Sequence, residues 1–205
     1  MLAPDEKFKQ LLTTAITPTL RDLLFRKVGL YYFRKRSDNW ELLQFQRSWS
    51  NTADATRFTI NCGIVSFRLA RFVLGSVPKM PTPEYNWHYS QRLGFLMPGG
   101  QDTWWTLDAS TAVDSLGSEL SGLIVDLAIP TLDTHVSDEA LRDLWLSGRS
   151  PGLTDVHRLM YVSVLLRDLG PREQYDSVRS ELGVLTRKRP ISVMVSEHLQ
   201  QLSGE

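Results

Sequence analysis

The chain has 205 residues, 42% hydrophobic and 22% charged, and its 23 basic and 23 acidic side chains cancel to zero net charge. That is enough apolar material for a sizeable core and excludes a mostly disordered chain. One cysteine, Cys62, excludes an internal disulfide and a cysteine-rich zinc site, and no apolar run approaches the roughly 18 residues that a membrane-spanning helix needs.

The zero is made of two opposite halves: residues 1–80 hold 13 Lys/Arg against 6 Asp/Glu, and residues 81–205 hold 10 against 17. If the halves separate in space, the molecule is dipolar and can steer a charged partner; if they face each other, they neutralise. The acidic opening, Asp5-Glu6, stands where a secretory signal would be basic, so a cytoplasmic location is expected.

Phe8, Leu11, Leu12, Ala15, Ile16, Leu20, Leu23 and Leu24 keep helical spacing, which predicts one helix kinked at Thr17-Pro18, or two, ended by Gly29 and covering a sheet. Strands are expected over 30–36, 40–50 and 56–64, the first turn being Ser37-Asp38-Asn39. A helix over 65–74 stops at Gly75, and a Pro-rich loop over 77–83 leads to a strand over 88–96. The turn Met97-Pro-Gly-Gly-Gln-Asp102 delivers a short strand over 103–107. Helices fill the rest, over 111–127, 131–136, 138–146, 155–169, 172–185 and 192–202, with Pro130 as a kink or break, Ser137 as an N-cap and Gly170-Pro171 as a hairpin joint. The predicted class is α+β: an antiparallel sheet of four to five strands packed by N-terminal and central helices, with a C-terminal helical extension. Ser147–Gly152 is the expected linker between a domain at 1–147 and an extension at 153–205.

Catalytic motifs are missing. His88, His135, His157 and His198 never fall at ligand spacing, so no metal and no cofactor is expected. Met97-Pro-Gly-Gly lacks the lysine and the further glycine of a phosphate-cradling loop and reads as a β-turn. The glycines and serines of 116–123 sit at helical spacing, as in a helix thinned for close packing. Cys62 reads as a small hydrophobe, and Asp138-Glu139 as acids at a helix start. His88 as a proton shuttle would need a carboxylate such as Asp102 or Asp108 beside it.

The polar strand residues say more. In the second strand Leu43, Phe45, Arg47 and Trp49 alternate with Gln44, Gln46 and Ser48, and in the third Phe58, Ile60 and Cys62 alternate with Arg57, Thr59 and Asn61. Arg47, in register with apolar neighbours, is either ion-paired at the sheet edge or at the solvated strand end. Trp104 and Trp105 must point to opposite faces, so one of them is an exposed indole unless another element covers it. The candidate binding face comprises Gln44, Gln46, Ser48, Arg57, Asn61, Arg92 and Trp105; an ordinary solvated sheet face is the competing reading.

The segments Gln46-Arg-Ser-Trp-Ser-Asn51, Phe58-Thr-Ile-Asn-Cys-Gly-Ile64, Tyr89-Ser-Gln-Arg-Leu-Gly-Phe95 and Asp102-Thr-Trp-Trp-Thr-Leu-Asp108, in this order, resemble the bacterial domain-of-unknown-function family 4304 over about residues 8–135. The resemblance implies a small α+β domain of the bacterial cytoplasm and transfers no activity and no catalytic residue. The expected function is a non-enzymatic module that binds another protein, with toxin neutralisation as the role that family-level analogy suggests. A small enzyme acting on an anionic substrate at the polar face, with Arg57 and Arg92 holding the anion, is the alternative. Nucleic acid ranks third as a partner, because no groove-reading motif accompanies the basic half.

Overall fold

A computed structural model describes residues 2–77, 79, 87–187 and 190–204, so all but Val77 and Lys79 of the expected Pro-rich loop lies outside the described residues. Helix α1 (Pro4–Leu11) starts on a proline, whose missing N–H is harmless in a first turn, and carries Asp5 and Glu6 at its positive end. A π-turn at Leu12–Ile16 joins it to α2 (Thr17–Asp22). The device recurs where α4 (Val113–Leu123) passes through a π-turn at Ile124–Ala128 into α5 (Ile129–His135). Each wide turn ends two residues before a proline, Pro18 or Pro130. A proline in a regular helix lacks a donor and presses its ring on the carbonyl four residues back, and an inserted wide turn relieves both. Of the two options the sequence left at Pro130, a kink or a break, the helix is not broken there but continues through the wide turn.

The two helical rods pack closely because Gly117 has no side chain: a Cβ there would lie 2.7 Å from Ala15 Cβ. Thr19 Oγ1 donates to Ser121 Oγ at 3.2 Å across the same contact.

Six strands form the sheet among the described residues: β1 (Arg26–Val28), β2 (Tyr31–Arg36), β3 (Asn39–Arg47), β4 (Thr56–Ser66) and β5 (Tyr89–Arg92) in that spatial order, with β6 (Trp105–Leu107) also paired to β4. The fold is α+β with an antiparallel sheet, as expected. β1 was not legible in the sequence. The opening helix ends at Asp22 with Leu23 as its C-cap, Leu24 turns at φ +67°, and Gly29 at φ +58° bends the chain between β1 and β2 instead of stopping a helix. Ser37 and Asp38, both at positive φ (+49° and +58°), make the two-residue hairpin turn whose twist matches antiparallel strands.

The described residues divide between two compact units, one drawn from Met1–Arg36, Trp40–Ile64 and Ser90–Thr134, the other from Ser37–Asn39, Val65–Tyr89 and His135–Glu205. In the first, aromatic side chains tie α1 to one face of the sheet: Phe8 to Phe58, Tyr32 to Phe45, Phe45 to Phe58 and Phe58 to Trp105, with ring centroids 5.1 to 6.1 Å apart. Burial of such rings contributes to the unit's stability through the apolar area removed from water.

The second unit contains α3 (Phe67–Leu74), α6 (Asp138–Leu146), α7 (Asp155–Leu169), α8 (Arg172–Thr186) and α9 (Ser192–Ser203). Ser66 and Ser137 cap α3 and α6 through hydroxyls that accept from Leu69 N and Ala140 N, and Gly75 at φ +71° closes α3. Trp145, fully buried, lies against Tyr161 at 5.8 Å, joining α6 to α7. The segment expected as a linker, 147–152, is thus a connection within this unit, and the division falls after Thr134. α3, expected on the sheet, belongs to this unit and packs on α7.

Candidate binding face

Ser48 N–H donates to Arg57 O at 2.8 Å, which sets β3 against β4. Strand alternation then places Gln44, Gln46 and Ser48 beside Asn61, Thr59 and Arg57 on the sheet face opposite the aromatic cluster. The amides knit together. Both hydrogens of Asn61 Nδ2 are used, one to Gln44 Oε1 and one to Gln46 Oε1, each at 2.9 Å, and Gln44 Nε2 donates to Tyr31 Oη at 2.8 Å. Asn61 is buried and the two glutamines are half-buried, so this mutual pairing removes the cost of leaving amides unmatched. Desolvation raises the Tyr31 hydroxyl above its usual range and keeps it neutral. Thr59 is sealed, its hydroxyl donating to Thr103 O at 2.9 Å.

The aromatic anchor is one residue from where the sequence placed it. Phe58 pairs with Trp105 across β4 and β6, so Trp105 stacks on Phe58 in the core and is only 8% exposed. Trp105 is therefore removed from the binding face. Alternation turns its neighbour Trp104 to the amide side, half-exposed. The Arg92 guanidinium lies 5.3 Å from the Trp104 ring centre and pairs with Asp102, and this bond holds the Asp102 carboxyl below its usual range. Trp104 Nε1 also donates to Asp102, at 3.4 Å.

Gly94 makes this corner possible. A Cβ on Gly94 would collide with Gln101 O and stand 2.6 Å from Thr103 N, both backbone atoms that cannot swing away. Gly94→Ala is expected to cost about 3 kcal/mol and to loosen Arg92 from Asp102. Urea unfolding measures the first effect, and a loss under about 0.5 kcal/mol would mean that the corner has room. The Met97–Gly100 segment is the β-turn read from the sequence, closed by Gly100 N–H to Met97 O at 3.0 Å with Gly99 at φ +93°.

Ser48 and Arg57 lie at the far end of the face. Ser48 Oγ shares a hydrogen bond with Ser50 Oγ (2.9 Å), and the exposed Arg57 side chain makes no ion pair among the described residues. β3 ends at Arg47, which combines both options: it lies exposed at the strand end and is ion-paired with Asp5, its guanidinium 5.7 Å from the Phe8 ring. Beyond it Trp49 is 99% exposed. The sequence pattern put Trp49 with Leu43 and Phe45, but the strand stops first and its parity no longer applies.

Titratable groups do not converge on this face. Nδ1 of buried His88 accepts from Ser66 N at 2.9 Å, its ring meets the Tyr161 ring edge-on at 4.9 Å, and desolvation pushes it down to about 3. Asp108 closes a turn on Ser110 and Thr111. Burial pushes the Cys62 thiol up to about 12, which makes it a small hydrophobe. Among the described residues no group of three His, Cys, Asp or Glu could hold a metal, and no helix is long and apolar enough to cross a membrane.

An antiparallel sheet with helices and an aromatic core on one face and an ordered amide cluster on the other defines a single-sheet α+β domain. The chain belongs to the family described as Domain of unknown function (DUF4304), whose profile matches residues 16–134. The match ends where the first compact unit ends, at Thr134. No curated protein and no solved structure matches the chain.

Proposed function

We propose that the protein is a non-enzymatic module that recognises another protein through the amide face of its first unit. The observation that carries this reading is the Gln44–Asn61–Gln46 cluster, whose mutual hydrogen bonds fix the half-buried Gln46 amide in one orientation. Gln46 Nε2 has no partner among the described residues and stands ready to donate. The half-exposed Trp104 under Arg92, and Trp49 at the strand tip, supply the residue types that dominate binding energy at protein interfaces. The enzymatic alternative draws no comparable support, because Arg92 is neutralised by Asp102 and His88 is engaged by backbone.

Photo-crosslinking groups placed in turn at positions 46, 49 and 114 test this in cells. A discrete polypeptide adduct from 46 and 49, and none from 114, is expected. With that polypeptide purified, Trp49→Ala should weaken binding about 30-fold without moving the melting temperature. Adducts equal at all three positions, or affinity unchanged in Trp49→Ala and in Trp104→Ala, would remove the proposal.

A further inference from the structure

On one side the sheet of the first unit ends at β1, beyond which no strand lies among the described residues. The three side chains of β1, Arg26, Lys27 and Val28, are all exposed. Residues 29 and 30 form a two-residue hairpin loop between Val28 and Tyr31, with Gly29 at φ +58° in its first position. In such a turn the carbonyl of Val28 accepts from Tyr31 N–H, so these two residues are a hydrogen-bonded pair. The neighbouring bond agrees: Leu30 O accepts from Phe45 N at 3.0 Å, so Leu30 addresses β3 and Tyr31 addresses β1. Antiparallel alternation then makes Lys27 and Tyr32 a non-bonded pair, and the N–H and C=O of Lys27 point out of the sheet.

The charge at this edge is one-sided. Residues 21–36 hold six Lys/Arg and one acid, Asp22. Arg34 and Arg36 both pair with Asp133 of α5, and Arg34 also pairs with the buried Glu41. Arg26 and Lys27 make no ion pair among the described residues, and neither does the exposed Arg21 in the last turn of α2, which packs beside β1. Lys27 lies 5.5 Å from the Tyr32 ring centre, on the helix side of the sheet, and alternation turns Arg26 and Val28 to the other side. A strand laid along β1 therefore meets an uncompensated cation on either face. A second copy of β1 would set like charges against each other, so an acidic chain is the occupant this edge fits.

We propose that β1 docks an acidic, extended segment of another protein, which joins the sheet antiparallel to β1 as a further strand. One residue of the segment exchanges both backbone hydrogen bonds with Lys27 and sets an acidic side chain beside it. The residue after it is an acid opposite Arg26, and the residue before it is apolar, opposite Val28. The sequence recognised is thus apolar, acid, acid. The contact lies on the sheet edge and does not rest on the amide face.

NMR titration of the isotope-labelled full chain at low salt, with the peptide Thr-Thr-Ile-Glu-Glu-Thr-Thr as probe, tests this. The Lys27 amide resonance should move, and replacing both glutamates of the peptide by lysine should weaken binding about tenfold. A methyl group on the nitrogen of the first glutamate, which faces the Lys27 carbonyl, should weaken it about tenfold, whereas one on the second, which faces away, should change it less than about twofold. Arg26→Ala combined with Lys27→Ala should also weaken it about tenfold. Affinity unchanged by methylation of the first glutamate, or equal for the lysine peptide, would overturn the proposal. Tighter binding of oligothymidylate than of the glutamate peptide would overturn it too, by assigning the cations to a polyanion. The methylated peptides decide the matter on the wild-type protein, whether or not the double variant folds.

Discussion

Acidification from pH 7 to pH 4 should destabilise the second unit by about 6 kcal/mol, beginning near pH 6.5, well above the range in which carboxylates titrate. Two buried histidines cause this. His88 accepts a hydrogen bond from Ser66 N, so a proton on Nδ1 would set donor against donor. His198 meets Ser163 Oγ at 2.9 Å; because that hydroxyl donates to Met160 O, the imidazole donates its Nε2–H. Desolvation pushes His88 down to about 3 and His198 down to about 4, with Arg167 adding to the latter. The unfolded chain takes up both protons from about pH 6.5 downward while the folded unit does not, so stability is full above that pH and falls as pH drops, by about 3 kcal/mol for each histidine at pH 4. Such a loss is comparable to a whole domain's stability. Asp168, held low by Arg167, adds its own loss only below pH 3.8, and Glu41, raised by burial in the first unit, acts in the opposite sense. Denaturant melts followed by the fluorescence of Trp145 should show the decline, and His198→Gln should remove about half of it. Stability unchanged between pH 7 and pH 5 would refute the assignment.

Asp138→Ala should cost about 3 to 5 kcal/mol, the largest single-substitution effect we expect. Asp138 begins α6, where a negative charge is favoured, but its greater role is to join distant segments of the second unit. Its Oδ1 accepts from Ser66 Oγ at 2.7 Å and Asn39 Nδ2 at 3.1 Å, and its Oδ2 accepts from Arg68 Nε at 3.1 Å. Asn39 also donates to Val136 O at 2.7 Å and accepts from Phe67 N at 2.8 Å, and Arg68 reaches Asp168 at 2.8 Å. Alanine would leave these donors without their acceptor, Asn39 and Ser66 in the interior. Asp138→Asn keeps one acceptor oxygen and should cost about half as much. Urea midpoints of the two variants provide the check, and an alanine variant within 1 kcal/mol of the wild type would show that the network contributes little.

Part of the amide cluster on the sheet was legible in the sequence. Period-two alternation places Gln44, Gln46 and Asn61 on one side of β3 and β4, and their hydrogen bonds bring these three amides together, whereas Ser48 lies beyond the end of β3 and is held by its backbone bond to Arg57. Trp104 and Trp105 show the limit of that signal. Adjacent indoles must face opposite ways, but which one faces the core depends on a register with β4 set by Phe58 and Trp105. The Arg34–Glu41–Asp133 cluster had no local signature, since Arg34 and Asp133 are 99 positions apart.

Local chemistry by itself determined the α+β class, the cap at Ser137, the turns at Ser37-Asp38 and Met97–Gly100, and the polar-apolar division around Gln44–Gln46 and Phe58–Asn61. These follow from side-chain period and backbone preference, which act within a few residues. Tertiary structure alone decided that helices continue through Pro18 and Pro130, that α3 joins the C-terminal helices, that Trp49 projects into solvent, and that two arginines share one aspartate oxygen. Each of these depends on which surfaces meet after the chain has closed long loops, and no short stretch of sequence carries that information.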